Sequence, residues 1–246
     1  MQVKTSKVDL TTATGSMRCY IYEPSVQGIY PSVIFYSEIF QLTAPISRSA
    51  AVIASHGFVV IVPEVFHELN PIGTVLGYDD EGKNKGNQDK WTKNLTSYDS
   101  DLQAMIDFND TLVHTNNKIG VIGVCIGGHL ACRAAIHSRI KAAFCLYATD
   151  LHSDTLPANE NQQTFRRLSE IKGEIHFVWG KQDPHVPKEG RIKIYQALQQ
   201  HELNFQWLEV NAEHAFMRDE GERYDPALAM TMYQNAVALF QRVLSS

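Results

Sequence analysis

Cysteine is scarce in this chain. Only Cys19, Cys125, Cys132 and Cys145 occur in 246 residues, and none stands at a metal-ligand spacing such as Cys-x-x-Cys. Free thiols in a reducing compartment are therefore expected, and the cytoplasm is the expected location. Long apolar runs are also missing. Gly57-Phe58-Val59-Val60-Ile61-Val62 is among the longest and is far too short to span a bilayer. Met1 opens a polar stretch without the apolar core of a secretion signal. There is no excess of positive charge: the formal net charge of −5 argues against a nucleic-acid-binding face. The ten histidines are scattered, and none pairs at the helical spacing of a zinc motif, so neither metal nor cofactor is expected. Internal repeats and low-complexity linkers are absent as well. What remains is a protein with a small-molecule partner, neither a membrane nor a nucleic acid.

Hydrophobic residues make up 44% of the chain and charged ones 20%, ordinary values for a globular protein. Residues 1–246 are read as one domain, large enough to bury a core without staples. Val3 to about Glu23 reads as a hairpin turning at Thr14-Gly15. Beyond it strands and helices alternate. Strands are expected at Val33–Tyr36, Phe58–Val62, Ile119–Val124, Ala142–Tyr147, Ile175–Trp179 and Phe205–Val210. Helices are expected at Ile46–Ser55, Ser97–Leu112, near Phe165–Glu170, at Lys188–Gln200 and at the end of the chain. There, Met230, Tyr233, Val237, Phe240 and Leu244 form a stripe taken to face the core. The alternation predicts an α/β fold with a mostly parallel sheet covered on both faces, and ligands beyond the carboxyl ends of its strands. Pro63–Asn94 breaks the rhythm. It reads as a long charged loop that leaves such a strand end and could rim the pocket.

One stretch carries most of the chemical information. The apolar strand Ile119–Val124 runs into Gly123-Val124-Cys125-Ile126-Gly127-Gly128, followed by small residues suited to a helix. This is the nucleophile elbow of the α/β-hydrolase fold, with cysteine where serine usually stands. A reactive side chain on a sharp strand-to-helix turn needs strained backbone and close helix–strand approach, which bulky neighbours would block. The helix that follows aims free N–H groups and its positive dipole end at the sulfur, which favours thiolate. Taken alone, the motif is equally compatible with a buried structural cysteine.

The remaining chain adds the partners. A nucleophile needs a base, and the base an orienting acid, in the chain order nucleophile, acid, histidine. Asp183 lies just past the strand Ile175–Trp179, and His214 just past Phe205–Val210. His185 and Asp150 are the nearest competitors, but His185 precedes the last strand and Asp150 follows an earlier one.

Four segments together resemble the dienelactone hydrolase family, over nearly the full length. They are Tyr36-Ser37-Glu38-Ile39-Phe40, Gly123-Val124-Cys125-Ile126-Gly127-Gly128, Gly180-Lys181-Gln182-Asp183-Pro184 and His214-Ala215-Phe216-Met217-Arg218. The resemblance implies Cys125 as nucleophile, His214 as general base and then acid, and Asp183 as its orienter. It implies Glu38 as an extra carboxylate in contact with the Cys125 thiol. A carboxylate beside a thiol disfavours thiolate unless it leaves or takes the proton, so Glu38 should act as a conditional base. The backbone N–H groups of Ile39 and Ile126 would form the oxyanion hole. Arg218 would bind a substrate carboxylate, with Tyr36 and Phe40 also in contact with substrate. A second carboxylate-binding arginine has no match: residues 83–93 offer Lys83, Lys85, Lys90 and Lys93 instead.

The expected reaction is hydrolysis of an ester or lactone of a small carboxylate-bearing compound through a thioester on Cys125, in a monomer or weak homo-oligomer. A broader carboxylesterase or thioesterase is the alternative on the same fold. A binding protein that kept the scaffold is the alternative from another class.

Overall fold

The computed structural model describes residues 1–245. β1 (Val3–Thr12) and β2 (Gly15–Pro24) form the expected antiparallel hairpin, closing at Thr12 opposite Gly15. β2 runs antiparallel to β4 (Val59–Pro63). From there the sheet is parallel: β4, β3 (Tyr30–Tyr36), β5 (Thr115–Val124), β6 (Ile140–Leu146), β7 (Glu174–Gly180) and β8 (Phe205–Val210) lie side by side in that order.

Side chains along the central strands alternate between two cores, as the two-residue period of a strand requires. Ile34, Ile61 and Val121 pack with α3 (Leu95–Thr111), α4 (Ile126–Ala134) and α5 (Lys188–Gln200), through Leu102, Met105, Leu130 and Ile194. Val33, Val60 and Ile122 pack on the other face with α1 (Ala44–Ala54) and α6 (Pro226–Leu244), through Ile53, Met232 and Phe240. The apolar run of β4 is buried at every position, which is what helices on both faces of a parallel sheet impose.

Three sequence expectations are corrected. Residues 63–94 are not simply a loop, because Asp80–Lys90 forms α2. Its signal was electrostatic rather than apolar: Asp79 caps it by accepting the Gly82 N–H at 2.8 Å, acids occupy the first turn and Lys90 the last. Its buried residues are Gly82, Gly86, Asp89 and Lys90, so no hydrophobic stripe betrays it. In the last helix Met230 faces solvent, 59% exposed, since the buried stripe runs through Ala229, Met232, Ala236, Phe240 and Leu244 and leaves residue 230 on its flank. Near residue 165 the chain takes a 3₁₀ turn over Thr164–Glu170 instead of an α-helix.

At the end of β5 the backbone bends sharply. Cys125 has φ 61° and ψ −125°, a conformation that costs a side-chain-bearing residue about 1–3 kcal/mol and needs its surroundings to hold it. Glycine makes the surroundings close enough. A Cβ at Gly123 would sit 1.9 Å from the Gly127 carbonyl oxygen, and one at Gly127 would sit 2.2 Å from that of Tyr36. These clashes are with backbone, which cannot swing aside. Gly127→Ala is therefore expected to destabilise by about 1–3 kcal/mol. For a chain of this size that lowers the thermal midpoint by roughly 2–12 °C, measurable by calorimetry, and an unchanged midpoint would contradict the packing argument.

Candidate active site

The carboxyl ends of β3, β5, β7 and β8 each deliver one element of the site. Past β5, Cys125 stands at the N-cap of α4 with its sulfur directed to a cavity of about 930 Å³ that its residue helps line. Its own N–H is tied to the Leu146 carbonyl at 3.2 Å, and its carbonyl accepts from Gly128 at 3.0 Å, so the bend is bonded on both sides. Cys19, Cys132 and Cys145 are free and buried, and Cys125 alone of the four is partly accessible.

The turn after β7 holds Asp183, whose N–H donates to Gly180 at 3.2 Å. Asp183 Oδ2 accepts from His214 Nδ1 at 2.7 Å, and Oδ1 accepts the His185 backbone N–H at 2.8 Å. Donation from Nδ1 leaves Nε2 of His214 as the nitrogen available to Cys125. Both Asp183 and His214 are buried. Burial opposes the imidazolium, but the neighbouring Cys125 sulfur and the Asp183 carboxylate outweigh it and raise the His214 pKa to about 10. Burial works against the Asp183 carboxylate too, yet its bond to His214 holds it below the ordinary aspartate value. The structure thus brings Cys125, His214 and Asp183 together.

The competitors line the same cavity but make no hydrogen bond to the His214 ring among the described residues. His185 lies edge-on against His214, with ring centroids 4.6 Å apart, and burial together with the His214 charge lowers its pKa. Asp150 accepts from Lys90 Nζ at 2.9 Å and from Thr155 at 2.7 Å, and makes no bond to an imidazole among the described residues.

Glu38, past β3, is 2% exposed and does not bond the Cys125 thiol. Arg218 holds it with two donors, Nη2 to Oε1 at 2.7 Å and Nε to Oε2 at 3.2 Å, and the Tyr78 hydroxyl lies 3.4 Å from Oε2. The expected Glu38–thiol contact is corrected accordingly: two charge-assisted bonds from a guanidinium outcompete one from a weak thiol donor. Arg218 in turn lies over the rings of Tyr78 (4.2 Å) and Phe40 (5.3 Å). Its neighbours Asp219 and Glu220 are engaged by Arg48 of α1, which leaves Arg218 aimed into the cavity.

Ile39 lines the cavity, and neither its N–H nor that of Ile126, at the first position of α4, has an acceptor among the described residues. Phe40 lines the cavity as expected. Tyr36 does not: its side chain shares the face of Ile34 two residues earlier and is buried in the core with α3 and α4. The sequence reading missed Tyr78 and the helical form of residues 80–90, whose cavity face carries Asp80, Lys83, Asn87 and Lys90. The helix-capping pattern at Asp79 was the signal that could have found them. Of the four lysines weighed in residues 83–93, Lys85 is bonded to Asp89 and Lys93 is buried on Asp101, so only Lys83 and Lys90 face the cavity. Among the described residues no group of three or more His, Cys, Asp or Glu converges as a metal site, and no helix is long and apolar enough to cross a membrane.

Comparison with known proteins agrees with this fold. The model of the dienelactone hydrolase family matches residues 17–244. A carboxymethylenebutenolidase homologue of Saccharomyces cerevisiae is 38% identical, over 96% of this chain and 90% of its own length. The carboxymethylenebutenolidase of Pseudomonas putida is 25% identical over 79% of this chain and 78% of its own. Among solved structures, a dienelactone hydrolase homologue from Klebsiella pneumoniae superposes with a TM-score of 0.79 at 18% identity, covering 98% of this chain and all (100%) of that one, a likeness of fold. The chain belongs to the dienelactone hydrolase family, α/β-hydrolases that cleave ester or lactone bonds.

Proposed function

We propose that this hydrolase cleaves an ester or lactone of a small carboxylate-bearing compound through Cys125, His214 and Asp183, with a thioester on Cys125 as intermediate. The observation that carries the reading is the buried imidazole of His214, bonded on one side to Asp183 and charge-coupled on the other to the Cys125 sulfur at the cavity.

In this reading the Cys125 thiolate adds to the carbonyl carbon. The free N–H groups of Ile39 and Ile126 receive the oxyanion. Collapse breaks the ester C–O bond, and the imidazolium of His214 protonates the departing oxygen. The sulfur of the resulting thioester no longer bears charge. The interaction that most supports the imidazolium is then gone, and His214 is left neutral as the base for water. Hydroxide equivalent adds to the thioester, the acid leaves, and the proton stays on His214 opposite the regenerated thiolate.

Arg218 and Glu38 supply substrate control. A substrate carboxylate competes with Glu38 for the guanidinium, so that binding favours anionic substrates.

Three outcomes are expected. Cys125→Ala should lower ester or lactone turnover by roughly 10³-fold or more, and unchanged turnover would end the proposal. Arg218→Ala should raise KM for carboxylate-bearing substrates by about tenfold or more, the worth of a charged hydrogen-bond pair, and spare neutral ones; equal losses would argue against a carboxylate role. Histidine NMR should place the His214 midpoint near 10 and move it down in Cys125→Ala, where the favouring sulfur is gone. Because the folded value lies above the unfolded one, His214 stabilises the fold fully below about pH 6.5, and that contribution is lost as pH rises towards 10. A midpoint insensitive to Cys125 would show that the two groups do not interact.

A further inference from the structure

The cavity has a second polar cluster that the hydrolytic chemistry does not use. Lys83, Asn87 and Lys90 recur at the i, i+4, i+7 spacing of α2 and so share one face of it, and all three line the cavity that Cys125 opens into. The loop after β6 faces them with Asp150, whose φ of 63° turns the chain back there. Lys90 Nζ donates to Asp150 Oδ2 at 2.9 Å, and each side chain keeps about a tenth of its surface exposed (10% and 12%). Burial disfavours the Asp150 carboxylate, but Lys90 and Thr155 hold its pKa below the ordinary aspartate value.

This cluster has hydrogen-bonding capacity to offer. An ammonium carries three N–H groups, and Lys90 uses one within the described residues. The side chains of Asn87 and Lys83 make no hydrogen bond among the described residues. Trp91, 56% exposed, sets a flat apolar ring at the cavity rim beside Lys90, 4.9 Å from its Nζ. Donors, acceptors and an aromatic plate lie together, with the charges of Lys90 and Asp150 offsetting one another. With Asp80 beside Lys83 in the same lining, such a surface is balanced in charge, and Arg218 already serves a substrate anion. It suits neutral hydroxyl groups, each of which donates and accepts at once, and the C–H face that carries them.

We propose that the cavity face of α2, together with Asp150, is a hydroxyl-reading subsite, and that the substrate is an ester or lactone whose body carries several hydroxyl groups, as in a sugar acid. The inference rests on the hydrolase reading above and narrows its substrate class.

The test uses two lactones that share a five-membered ring and a carboxylate: γ-carboxy-γ-butyrolactone, which has no hydroxyls, and the γ-lactone of glucaric acid, which has several. Wild type should favour the hydroxylated lactone in kcat/KM by roughly tenfold or more, the effect of one hydrogen bond to a charged group. Lys90→Gln and Asp150→Asn should each cut that preference ratio by a similar factor, acting mainly through KM. A wild-type ratio near one would overturn the inference while leaving the hydrolase reading intact, because the plain lactone would still be cleaved in a Cys125-dependent manner. A ratio that survives in both variants, with the two lactones losing in proportion, would assign the ion pair to structure and overturn it as well. Cleavage of neither lactone by wild type would remove the carboxylate-lactone reading and this inference with it. The wild-type ratio is read without any variant, so a poorly folding substitution does not spare the proposal.

Discussion

The bend at Cys125 is the constraint on which the rest of the site depends. A residue with φ 61° and ψ −125° is held there because β5, α4 and the loop past β3 meet almost without side chains between them. Gly123, Gly127 and Gly128 let backbone approach backbone, and their missing Cβ atoms are what permit it. The bend fixes two things at once. It lifts the sulfur out of the sheet into the cavity, and it starts α4 so that the Ile126 N–H is left without a partner among the described residues, beside that sulfur. The sulfur and the unbonded N–H are therefore placed by one local strain, of a kind that folded proteins concentrate at functional sites.

Electrostatics complete what the bend begins. His214 sits in a place hostile to charge, and only its two neighbours make imidazolium favourable there. An imidazole in that balance changes state when the sulfur does. Glu38 and Arg218 form a second pair nearby, joined by two hydrogen bonds. The aromatic walls of Tyr78 and Phe40 hold the guanidinium in position without neutralising it.

Much of this was legible in the residues. The alternation of apolar strands with helices gave the α/β layering, and the two-core sheet follows from a two-residue period that Val33/Ile34 and Val60/Ile61 display directly. Cys125, Asp183 and His214 were legible because each lies just past a strand, where a parallel sheet gathers its loops. Less legible was anything carried by polar helices. α2 has no hydrophobic stripe, since it packs through Gly86 against Ile39 and through the bonded Asp89, so apolar periodicity was blind to it and only its caps gave it away. The Arg218–Glu38 pair was hidden for a different reason: it joins residues 180 positions apart, and a single sequence does not say which of several candidate partners an arginine takes. Tyr36 was misread because proximity in the chain to Glu38 is not proximity in space, and strand parity sends its ring into the core.

If turnover runs through Cys125, a carbonyl carbon becomes bonded to its sulfur. Rapid acid quench of the enzyme with a slowly released ester, followed by peptide mass spectrometry, reads this directly. An added acyl mass is expected on the peptide containing Cys125, removable by hydroxylamine as a thioester is. Turnover with no acyl group on that peptide, or with the acyl group on another residue, would contradict it.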